Sequence, residues 1–374
     1  TTEIYTLSLH DALPIWFFFY LLMKPATLGM AFLGIAGIFA PSTNPNSWWL
    51  PALSGLFMPA IIFANLYLLI FWAICKKWWI ILPCVTIICN YNYFTGTFQS
   101  PWKKDILYTQ ENDITIASYN VNGFSWIARN VQYDIKKIVE ENHIDILCIQ
   151  EHCEKTNLDS VAIQQKFGLP HRRVYFNKRT TWANFGISIY SRYPIIRYGE
   201  INFNSEKNNG MWADILVRED TIRVFNNHLQ TTNVSMNSKK YKAYKSVKDW
   251  KGQARTLVNI VEQLKDNFII RANQAMQIRK IIDTTRYPII VCGDFNDNPV
   301  SFAYNHIAGN NLTDGFRDRG KGYGHSFNGI KGLLRIDFIS YDKSFTGLVY
   351  DSPHLPWSDH NPIIMKVKLK TTSR

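Results

Sequence analysis

The distribution of charge along this chain of 374 residues divides it into two parts. Between residues 16 and 98 the only charged side chains are Lys24, Lys76 and Lys77, although the whole chain has a formal net charge of +12. Helices of soluble proteins are rarely apolar on every side, whereas a helix that crosses a bilayer needs about 20 mostly apolar residues. The sequence therefore predicts a transmembrane anchor over residues 16–98, followed by a basic body.

Three apolar segments separated by short turns make up the predicted anchor. They are residues 16–40, 50–75 and 78–94. Tryptophans lie at the segment ends, as in the aromatic belts of membrane proteins, and we expect three transmembrane helices. Lys76 and Lys77 form the only charged turn between segments, and such basic turns are retained in the cytoplasm. One span follows this turn, which predicts a bacterial inner-membrane protein whose body lies in the periplasm.

Two short stretches are interpreted separately from the anchor and the body. Residues 1–15 resemble the translation of a sequencing adapter, so we expect them to carry no structural information. Residues 99–112 are interpreted as a linker between anchor and body. The six cysteines do not have the spacing that is typical of a disulfide framework or of a zinc site.

In the body, apolar residues alternate in the pattern of strands separated by helices. Strands are predicted at residues 114–121, 145–151, 186–190, 211–218, 221–228, 333–341 and 363–369. Apolar residues between 131 and 139 have helical spacing. Residues 231–280 form a polar, lysine-rich insertion with helical stretches. Its positive charge fits a polyanionic substrate, an anionic membrane surface or simply a solvated face.

Residues 289–299 (IIVCGDFNDNP) contain the sharpest change from apolar to polar residues. The first four predict a buried strand, which Gly293 is expected to end. Side chains two residues apart share a face of an extended chain, so we expect Asp294 and Asn296 to point the same way, towards a phosphate or a metal. The alternative is a turn built by Asp and Asn that leads into a helix near Pro299 and Ser301.

Similar polar residues recur at the ends of the other predicted strands. The complete set is Asn120, Glu151, His228, Asp294 with Asn296, Asp337, and Asp359 with His360. Any one of them alone is more typical of a solvated strand end. Polar residues on so many strand ends destabilise a fold unless they converge, so the sequence predicts one common site.

The sequences around these residues resemble the ordered motifs of the endonuclease/exonuclease/phosphatase superfamily, the deoxyribonuclease I-like enzymes. The motifs are Ser-Tyr-Asn120-Val-Asn, Ile-Gln-Glu151, Asn-His228-Leu, Gly-Asp294-Phe-Asn296, Arg-Ile-Asp337-Phe-Ile and Ser-Asp359-His360-Asn-Pro. The resemblance assigns residues 113–370 to the catalytic domain of such an enzyme. It implies an α/β fold, a four-layer sandwich of two mixed β-sheets flanked by helices, with the site at one rim. With its apolar spans, the chain resembles a membrane-anchored bacterial subgroup.

The resemblance implies a metal site and a catalytic set. Asn120, Glu151 and Asp359 would bind Mg²⁺, or alternatively Mn²⁺, through oxygen ligands of the kind that hard cations prefer. Asp294 would orient or deprotonate the attacking water, and His360, paired with Asp337, is the alternative general base. The choice between these two bases remains open.

The resemblance also implies which residues contact the substrate. His228 would donate to the phosphate or its leaving group, and Asn296 would hydrogen-bond a phosphate oxygen. Asn184 would support them as a further substrate-binding residue. Arg335 could contact phosphate, but it is equally well explained as a surface residue, and it is not included in the catalytic set.

The predicted reaction is hydrolysis of a phosphodiester, phosphomonoester or pyrophosphate bond by metal-assisted attack of water. Nucleic acid and lipid-linked phosphate both remain open as substrates. The Trp-Cys-Asp-Arg motif that marks inositol 5-phosphatases is missing, and Arg335-Ile336-Asp337 stands in its place. The expected partners are this substrate and the lipid bilayer, and no protein partner is predicted. The alternative is a catalytically silent, membrane-anchored binding protein with the same fold.

Overall fold

The computed structural model describes residues 9–106, 113–123, 129–155, 167–232, 250–329 and 332–370. The helices are α1 (Leu9–Ile38), α2 (Leu50–Leu56), α3 (Met58–Ile74), α4 (Ile81–Cys89), α5 (Tyr91–Thr97), α6 (Arg129–Glu141), α7 (Trp250–Asp283), α8 (Phe302–Ala308) and α9 (Gly315–Arg319). The strands are β1 (Phe98–Gln99), β2 (Asp113–Asn120), β3 (Ile146–Lys155), β4 (His171–Arg179), β5 (Ala183–Ser191), β6 (Ile195–Ile201), β7 (Asn209–Val217), β8 (Asp220–His228), β9 (Ile289–Asp294), β10 (Leu312–Asp314), β11 (Gly322–Tyr323), β12 (Asp337–Asp342), β13 (Phe345–Asp351) and β14 (Ile363–Leu369).

Two six-stranded mixed sheets form the body. Sheet I has the strand order β13-β14-β2-β3-β5-β4, and sheet II has the order β10-β12-β9-β8-β7-β6. Each sheet contains one parallel pair near its centre, β2 with β3 and β8 with β9. Because parallel strands end at the same edge of a sheet, each pair directs two carboxyl ends towards one edge. We call the end of the sandwich where these four strands finish the site rim.

The two faces of each sheet explain the layers. Ile116 of β2 and Ile290 of β9 belong to one apolar cluster, so the inner faces of the two sheets pack together. Ile135 of α6 packs on the outer face of sheet I, and Ile278 of α7 packs on the outer face of sheet II. This confirms the predicted α/β arrangement of two mixed sheets flanked by helices.

The strands that the sequence did not predict lie mainly at sheet edges. β14 covers Ile363–Leu369, as predicted, and the other predicted strands are found with shifted ends. β4 and β6 are the outermost strands on one side of the two sheets, and β13 is the outermost on the other side of sheet I. All nine residues of β4 are at least partly exposed. An edge strand of this kind lacks the alternation of buried and exposed residues that identifies an inner strand.

The apolar N-terminal segments pack together in a helical unit, residues 19–98. The Trp72 indole N–H of α3 donates to the hydroxyl of Thr27 on α1 at 2.8 Å, and Asn90 donates to the Gly34 carbonyl at 3.1 Å. α3 therefore runs antiparallel to α1, and α4 returns beside it. Lys24 lies over the Trp79 ring at 5.9 Å, so the Lys24 and Lys76–Lys77 regions lie at one end of this unit.

The helical unit provides fewer candidate spans than the three that the sequence predicts. Among the described residues, one unbroken helix, Phe19–Ile38, is long and apolar enough to cross a bilayer. The second segment bends by 71° between α2 and α3, and the third is a short helix over Trp78–Cys89. The bend precedes Pro59 in the first turn of α3, where proline has no backbone N–H to continue the helix from α2.

The helical unit packs directly against the body. Gln99 in β1 pairs with Gly322 in β11, although residue 99 was interpreted as the start of a linker. Lys103 then donates to the Arg317 carbonyl, and the Ile106 N–H donates to the carbonyl of Leu348. The first part of the predicted linker, up to residue 106, thus contacts the body, and residues 107–112 lie outside the described part.

Candidate active site

Strand register brings three predicted site residues side by side. His228 at the end of β8 pairs with Asp294 at the end of β9, and Asp294 pairs in turn with Asp337 at the start of β12. Cys292 precedes Asp294 by two residues and faces the core between the sheets. Because side chains on a strand repeat every two residues, Asp294 faces the same space at the rim, where polar groups replace the apolar core.

The glycine before Asp294 allows β8 and β9 to approach closely. Gly293 has φ = 146°, and a Cβ atom at this position would lie 2.0 Å from the carbonyl oxygen of Asn227 on β8. A side chain at residue 293 would therefore push the strands apart, just where His228 and Asp294 are paired. The sequence Gly-Asp thus fixes the position of the Asp294 carboxylate.

The Asp294 carboxylate lies at the centre of the site. Its Oδ2 atom accepts from Asn120 Nδ2 at 2.9 Å, and its Oδ1 atom accepts from the Asn296 backbone N–H at 2.8 Å. Nε2 of His228 and Nε2 of His360 each lie 3.7 Å from the same Oδ2 atom. This separation is too long for a hydrogen bond, so two imidazoles face one fixed carboxylate oxygen without being bonded to it.

His360 is held by Asp337. Nδ1 of His360 lies 2.8 Å from Oδ2 of Asp337, and the Phe327 ring packs at 5.0 Å between centroids. Ser358 donates to the Asn120 carbonyl at 2.7 Å and accepts from the His360 backbone N–H at 3.1 Å. These contacts fix the imidazole so that its Nε2 atom points towards Asp294.

The pKa values of Asp294 and His360 are both raised in this cluster, for different reasons. Burial raises the pKa of Asp294, and the Asp337 carboxylate raises it further, although His360 and His228 partly oppose this. Burial lowers the pKa of His360, but the carboxylates of Asp337 and Asp294 together outweigh burial and raise the pKa to about 10. His360 is therefore an imidazolium at neutral pH. Asp294 is a weaker acid than an ordinary aspartate carboxyl group.

Glu151 projects from an irregular point in β3. The pairing of β3 with β5 shifts register between Ile149 and His152, and Glu151 has φ = 52°, a conformation that is uncommon for this residue type. Its Oε1 atom is 3.4 Å from Asn120 Nδ2 and 3.7 Å from His228 Nε2. The Glu151 side chain is 38% exposed, in contrast to the buried Asp294, so it lies at the mouth of the site.

A buried amide pair fixes the two sheets just below Glu151. Gln150 Nε2 donates to Asn226 Oδ1 of sheet II at 2.6 Å and to the Ser118 hydroxyl at 3.1 Å. Asn226 donates back to the carbonyl of Ile149 on sheet I at 3.0 Å. These contacts set the separation of the sheets at the rim, and hence the distance between the groups that each sheet contributes.

Asn296 does not have the geometry that the sequence analysis favoured. Its φ is 51°, so the chain is no longer extended after Asp294, and the Asn296 amide donates to the Leu229 carbonyl at 3.1 Å. The bond from its backbone N–H to Asp294 closes an Asx turn, which was the alternative interpretation. Ser301 is the N-cap of α8, and its hydroxyl accepts from the Tyr304 N–H at 3.2 Å.

The remaining predicted residues lie at different distances from the cluster. Asp359 is exposed beside His360, and its carbonyl accepts from the Asn328 N–H at 2.7 Å. Asn184 is partly buried on β5, in register with Glu154, three residues beyond Glu151. The structure thus places both at the rim, and their roles in binding metal and substrate stay predictions.

Arg335 is neither a surface residue nor a phosphate contact. Its guanidinium is buried, donates to both carboxylate oxygens of Asp314 at 3.1 and 2.6 Å, and donates to the Gly96 carbonyl at 2.9 Å. The suggestion that it is surface-exposed was wrong, because a buried arginine needs a carboxylate partner that the local sequence does not reveal. Arg335 joins the body to the helical unit.

Two residues that support the site were not identified from the sequence. The Ser326 hydroxyl accepts from the backbone N–H groups of Ile336 and Asp337, both at 3.0 Å, and Phe327 packs on His360. Both belong to an irregular segment with no motif, so nothing in the pattern marked them. Ser358 belongs to the Ser-Asp359-His360-Asn-Pro motif, but its hydrogen bonds to Asn120 and His360 are visible only in the structure.

The donor groups at the rim fit a hard divalent cation. Glu151 offers a carboxylate that is 38% exposed, and carboxylate oxygens are the usual ligands of such ions. The Nδ2 group of Asn120 faces this carboxylate, and the Asn120 Oδ1 atom accepts from the Asn122 N–H at 3.0 Å. Among the described residues, Asp294, Asp337 and His360 also bring one ligand atom each within 4.8 Å of one another. In that second group His360 is already bonded to Asp337, so we favour the Glu151 side for the metal.

A buried carboxylate, a His–Asp pair and a second histidine lie together at the rim of two packed mixed sheets, an arrangement that fits a phosphoric ester hydrolase. A family model described as the endonuclease/exonuclease/phosphatase family matches residues 117–360, and a model for a domain of unknown function (DUF8431) matches residues 15–97. The chain belongs to the endonuclease/exonuclease/phosphatase family. Enzymes of this family generally use divalent metal ions. No curated protein matches the chain.

Solved structures that are similar to this chain share little sequence with it. The human Nocturnin catalytic domain with bound sulfate is 14% identical, with a TM-score of 0.50, over 71% of this chain and 96% of that one. An endonuclease/exonuclease/phosphatase family protein from Bacteroides thetaiotaomicron is 17% identical, with a TM-score of 0.48, over 70% and 100%. A mannosyl-6-phosphatase from the same organism is 16% identical, with a TM-score of 0.46, over 68% and 99%.

Proposed function

We propose that this enzyme is a membrane-anchored, magnesium-dependent phosphoesterase that hydrolyses a phosphate ester or pyrophosphate bond by attack of water. The observation that supports this most is the surroundings of Asp294. Two donors fix its carboxylate, and two imidazoles face the same oxygen at 3.7 Å. At this distance neither Nε2 atom is hydrogen-bonded to the carboxylate, so both can bind an oxygen of the substrate phosphate.

Asp294 is the proposed general base. Its raised pKa makes it a better proton acceptor than an ordinary carboxylate, and the donors from Asn120 and Asn296 hold it in one orientation. The Asp337 carboxylate raises the pKa of His360 and keeps its imidazole protonated. His360 therefore cannot accept a further proton, and it donates from Nε2 to a phosphoryl oxygen instead. This assignment selects one of the two bases that the motifs leave open.

His228 has the environment of a substrate-binding group. Its ring is buried, and in the described structure neither ring nitrogen has a hydrogen-bond partner. An unpaired polar group in this position is costly unless the substrate completes its hydrogen bonds. We therefore assign His228 to a non-bridging phosphate oxygen or the leaving group, with Asn296 and Asn184 as further contacts.

Glu151 and Asn120, with Asp359 at the exposed edge, are the residues proposed to hold the metal. When bound there, Mg²⁺ would neutralise charge on the phosphoryl oxygens and on the leaving oxygen. The half-exposed Glu151 side chain gives the ion access from solvent, and Asn120 bridges Glu151 and Asp294. Mn²⁺ has the same preference for oxygen ligands and is the expected substitute.

Replacing Glu151 by glutamine is expected to raise the Mg²⁺ concentration for half-maximal activity at least about tenfold, because an amide is a weaker ligand than a carboxylate. The measurement is a Mg²⁺ titration of the full chain in detergent, on a panel of DNA, RNA, phospholipids, polyprenyl pyrophosphate and inositol phosphates. Glu200→Gln, an exposed residue on the edge strand β6, is the control. Hydrolysis that persists in excess chelator, or an unchanged titration for Glu151→Gln, would contradict the proposed metal site.

The helical unit is the proposed anchor, with its three apolar segments in the bilayer. α1 and α4–α5 run towards the body and α3 runs away from it, so Lys24, Lys76 and Lys77 lie at the end opposite the body. Retention of basic turns in the cytoplasm then puts the body on the outer side of the inner membrane.

The orientation can be tested with fusions after residue 100. We expect alkaline phosphatase to be active at this position and green fluorescent protein to be dark, because the junction lies outside the cytoplasm. The same reporters fused after Lys77 are the internal control and are expected to give the opposite pair of results. A fluorescent, phosphatase-inactive fusion after residue 100 would put the body in the cytoplasm.

The silent binding protein is a weaker alternative. A site that has lost catalysis is expected to lose at least one of its groups, whereas Asp294, His228, Asp337 and His360 are all present and adjacent.

A further inference from the structure

Helix α7 extends well beyond the body. Its C-terminal half packs on sheet II through Ala275, Ile278 and Ile282. Further towards its N-terminus, Arg271 pairs with Asp297, and Asn267 donates to the Thr232 carbonyl, so this part passes the site rim. Residues 250–266 therefore continue past the rim for about 25 Å. We call this part the overhang.

The overhang lies against the helical unit. Three apolar residues of α7 form a cluster with three of α2. They are Ile260, Leu264 and Phe268 on α7, and Ala52, Leu53 and Leu56 on α2. α2 in turn bends by 71° away from α3, so it lies across the end of the bundle rather than along it. The site rim and the body-facing end of the anchor consequently lie on the same side of the molecule.

Two segments of the active site are hydrogen-bonded to the same end of the anchor. Asn298, four residues after Asp294, donates to the Gly55 carbonyl at 2.6 Å. Gly324, three residues before Phe327, donates its N–H to the Thr97 carbonyl at 2.7 Å. If a lipid surface lies at this end of the anchor, both active-site segments come close to it within a few residues of the catalytic cluster.

The overhang presents apolar side chains that nothing in the described structure covers. Leu257 is 51% exposed and Val258 is 56% exposed, and α1 likewise exposes Leu22 and Phe32 on the outside of the helical unit. Trp102, just after β1, is 86% exposed. Exposed apolar side chains on a helix beside apolar spans fit the interface of a membrane, where their burial is favourable.

The charge of the overhang favours lipid over nucleic acid as the occupant. Across the overhang, Lys251, Arg255 and Lys265 stand against Glu262 and Asp266, a net charge of +1. Binding to nucleic acid depends on a large excess of positive charge at the contact surface, and one net charge over this length is a small excess. Apolar contact with a bilayer has no such requirement.

We propose that the overhang rests on the lipid surface beside the anchor, and that the site takes phosphate esters whose apolar part remains in the bilayer. This rests on the proposed function, since it assumes both the anchor and the hydrolysis. The substrate class is thus an amphiphilic phosphate ester or pyrophosphate. Its headgroup reaches Asp294 and His228 while its tail stays in the membrane.

The test compares two phosphodiesters that differ only in the alkyl chain. The full chain in phosphatidylethanolamine–phosphatidylglycerol vesicles with Mg²⁺ is given hexadecyl 4-nitrophenyl phosphate, which enters the bilayer, or methyl 4-nitrophenyl phosphate, which stays in water. We expect the hexadecyl ester to have a kcat/KM about 100-fold higher, because the membrane raises its effective concentration at the site. Leu257→Asp combined with Val258→Asp should lower this ratio about tenfold.

Ile196→Asp is the matched control, because Ile196 is 49% exposed on β6, the edge strand of sheet II opposite β10. It should leave the ratio unchanged. Equal kcat/KM for the two esters, hydrolysis of the methyl ester alone, or an unchanged ratio in the Leu257/Val258 variant would overturn this inference and leave the phosphoesterase intact. Failure to hydrolyse either ester, or release of nitrophenol that survives Asp294→Asn, would overturn the proposed function as well.

Discussion

Replacing Asp294 by asparagine is expected to lower kcat by about three orders of magnitude, within the range that a general base contributes. The amide has the same shape but cannot take a proton from water, and it meets the N–H donors of Asn120 and Asn296 with one oxygen instead of two. Turnover is to be measured on any substrate that the wild-type chain hydrolyses. Asp220→Asn, at the exposed first residue of β8, is the control.

The same substitution should leave stability unchanged or slightly higher. Asp294 is buried beside Asp337, and both burial and that neighbouring charge raise its pKa, so the ionised carboxylate is held in the fold at an energetic cost. A neutral amide removes that cost, a common finding when catalytic groups are replaced. Wild-type turnover in Asp294→Asn would refute the site assignment, and a large loss of thermal stability would show that the effect on turnover arises from misfolding.

Replacing Arg335 by methionine is expected to have the largest effect on stability, a loss of about 3–5 kcal/mol in the free energy of unfolding. Arg335 is buried and donates to both oxygens of Asp314. Burial raises the pKa of Asp314, but the guanidinium outweighs burial and holds the pKa below its usual range. Without the guanidinium, Asp314 is left as a buried carboxylate, and the Gly96 carbonyl loses its donor.

The loss is to be measured by chemical denaturation of the detergent-solubilised chain. Arg197→Met, at an exposed position on β6, serves as the control. The double variant Arg335→Met with Asp314→Asn should recover part of the stability, because it removes the uncompensated charge. If Arg335→Met unfolds at the same denaturant concentration as the control, the buried pair does not hold the two parts of the molecule together.

The inner strands and the residues at their ends could be predicted because burial on both faces leaves a strong pattern. β9 is an uninterrupted apolar run that ends at Gly293, and the alternation in β14 identifies it completely. Once the phase of such a strand is known, the face of its last residue is known as well. This is why Asp294 and His228 could be assigned to one site before their distances were known.

Local backbone irregularities could not be predicted in the same way. Glu151 reaches the site through a register shift and a positive φ, and Asn296 leaves the extended conformation that its spacing suggested. Such features depend on which hydrogen bonds the neighbouring strand offers, and a single sequence does not contain that information. The break after α2 has a local sign in Pro59, but the uncharged segment from Leu50 to Cys75 does not indicate whether this proline separates two helices or only kinks one span.

The contacts between the helical unit and the body left no sequence signal either. Asn298 bonds to Gly55, and Arg335 to Gly96, through single hydrogen bonds to backbone carbonyls. A carbonyl acceptor is present at every residue, so nothing marks Gly55 or Gly96 as a partner.

The same two contacts have a consequence for the order in which the protein is made. Asn298 and Arg335 lie 243 and 239 residues after the carbonyls that they bind. The helical unit therefore leaves the ribosome long before the strands that complete its interface, and closing loops of this length belongs to the late, slow part of folding. Since Asn298, in the turn after Asp294, makes one of these contacts, we expect the catalytic centre to take its final shape only when the body meets the helical unit.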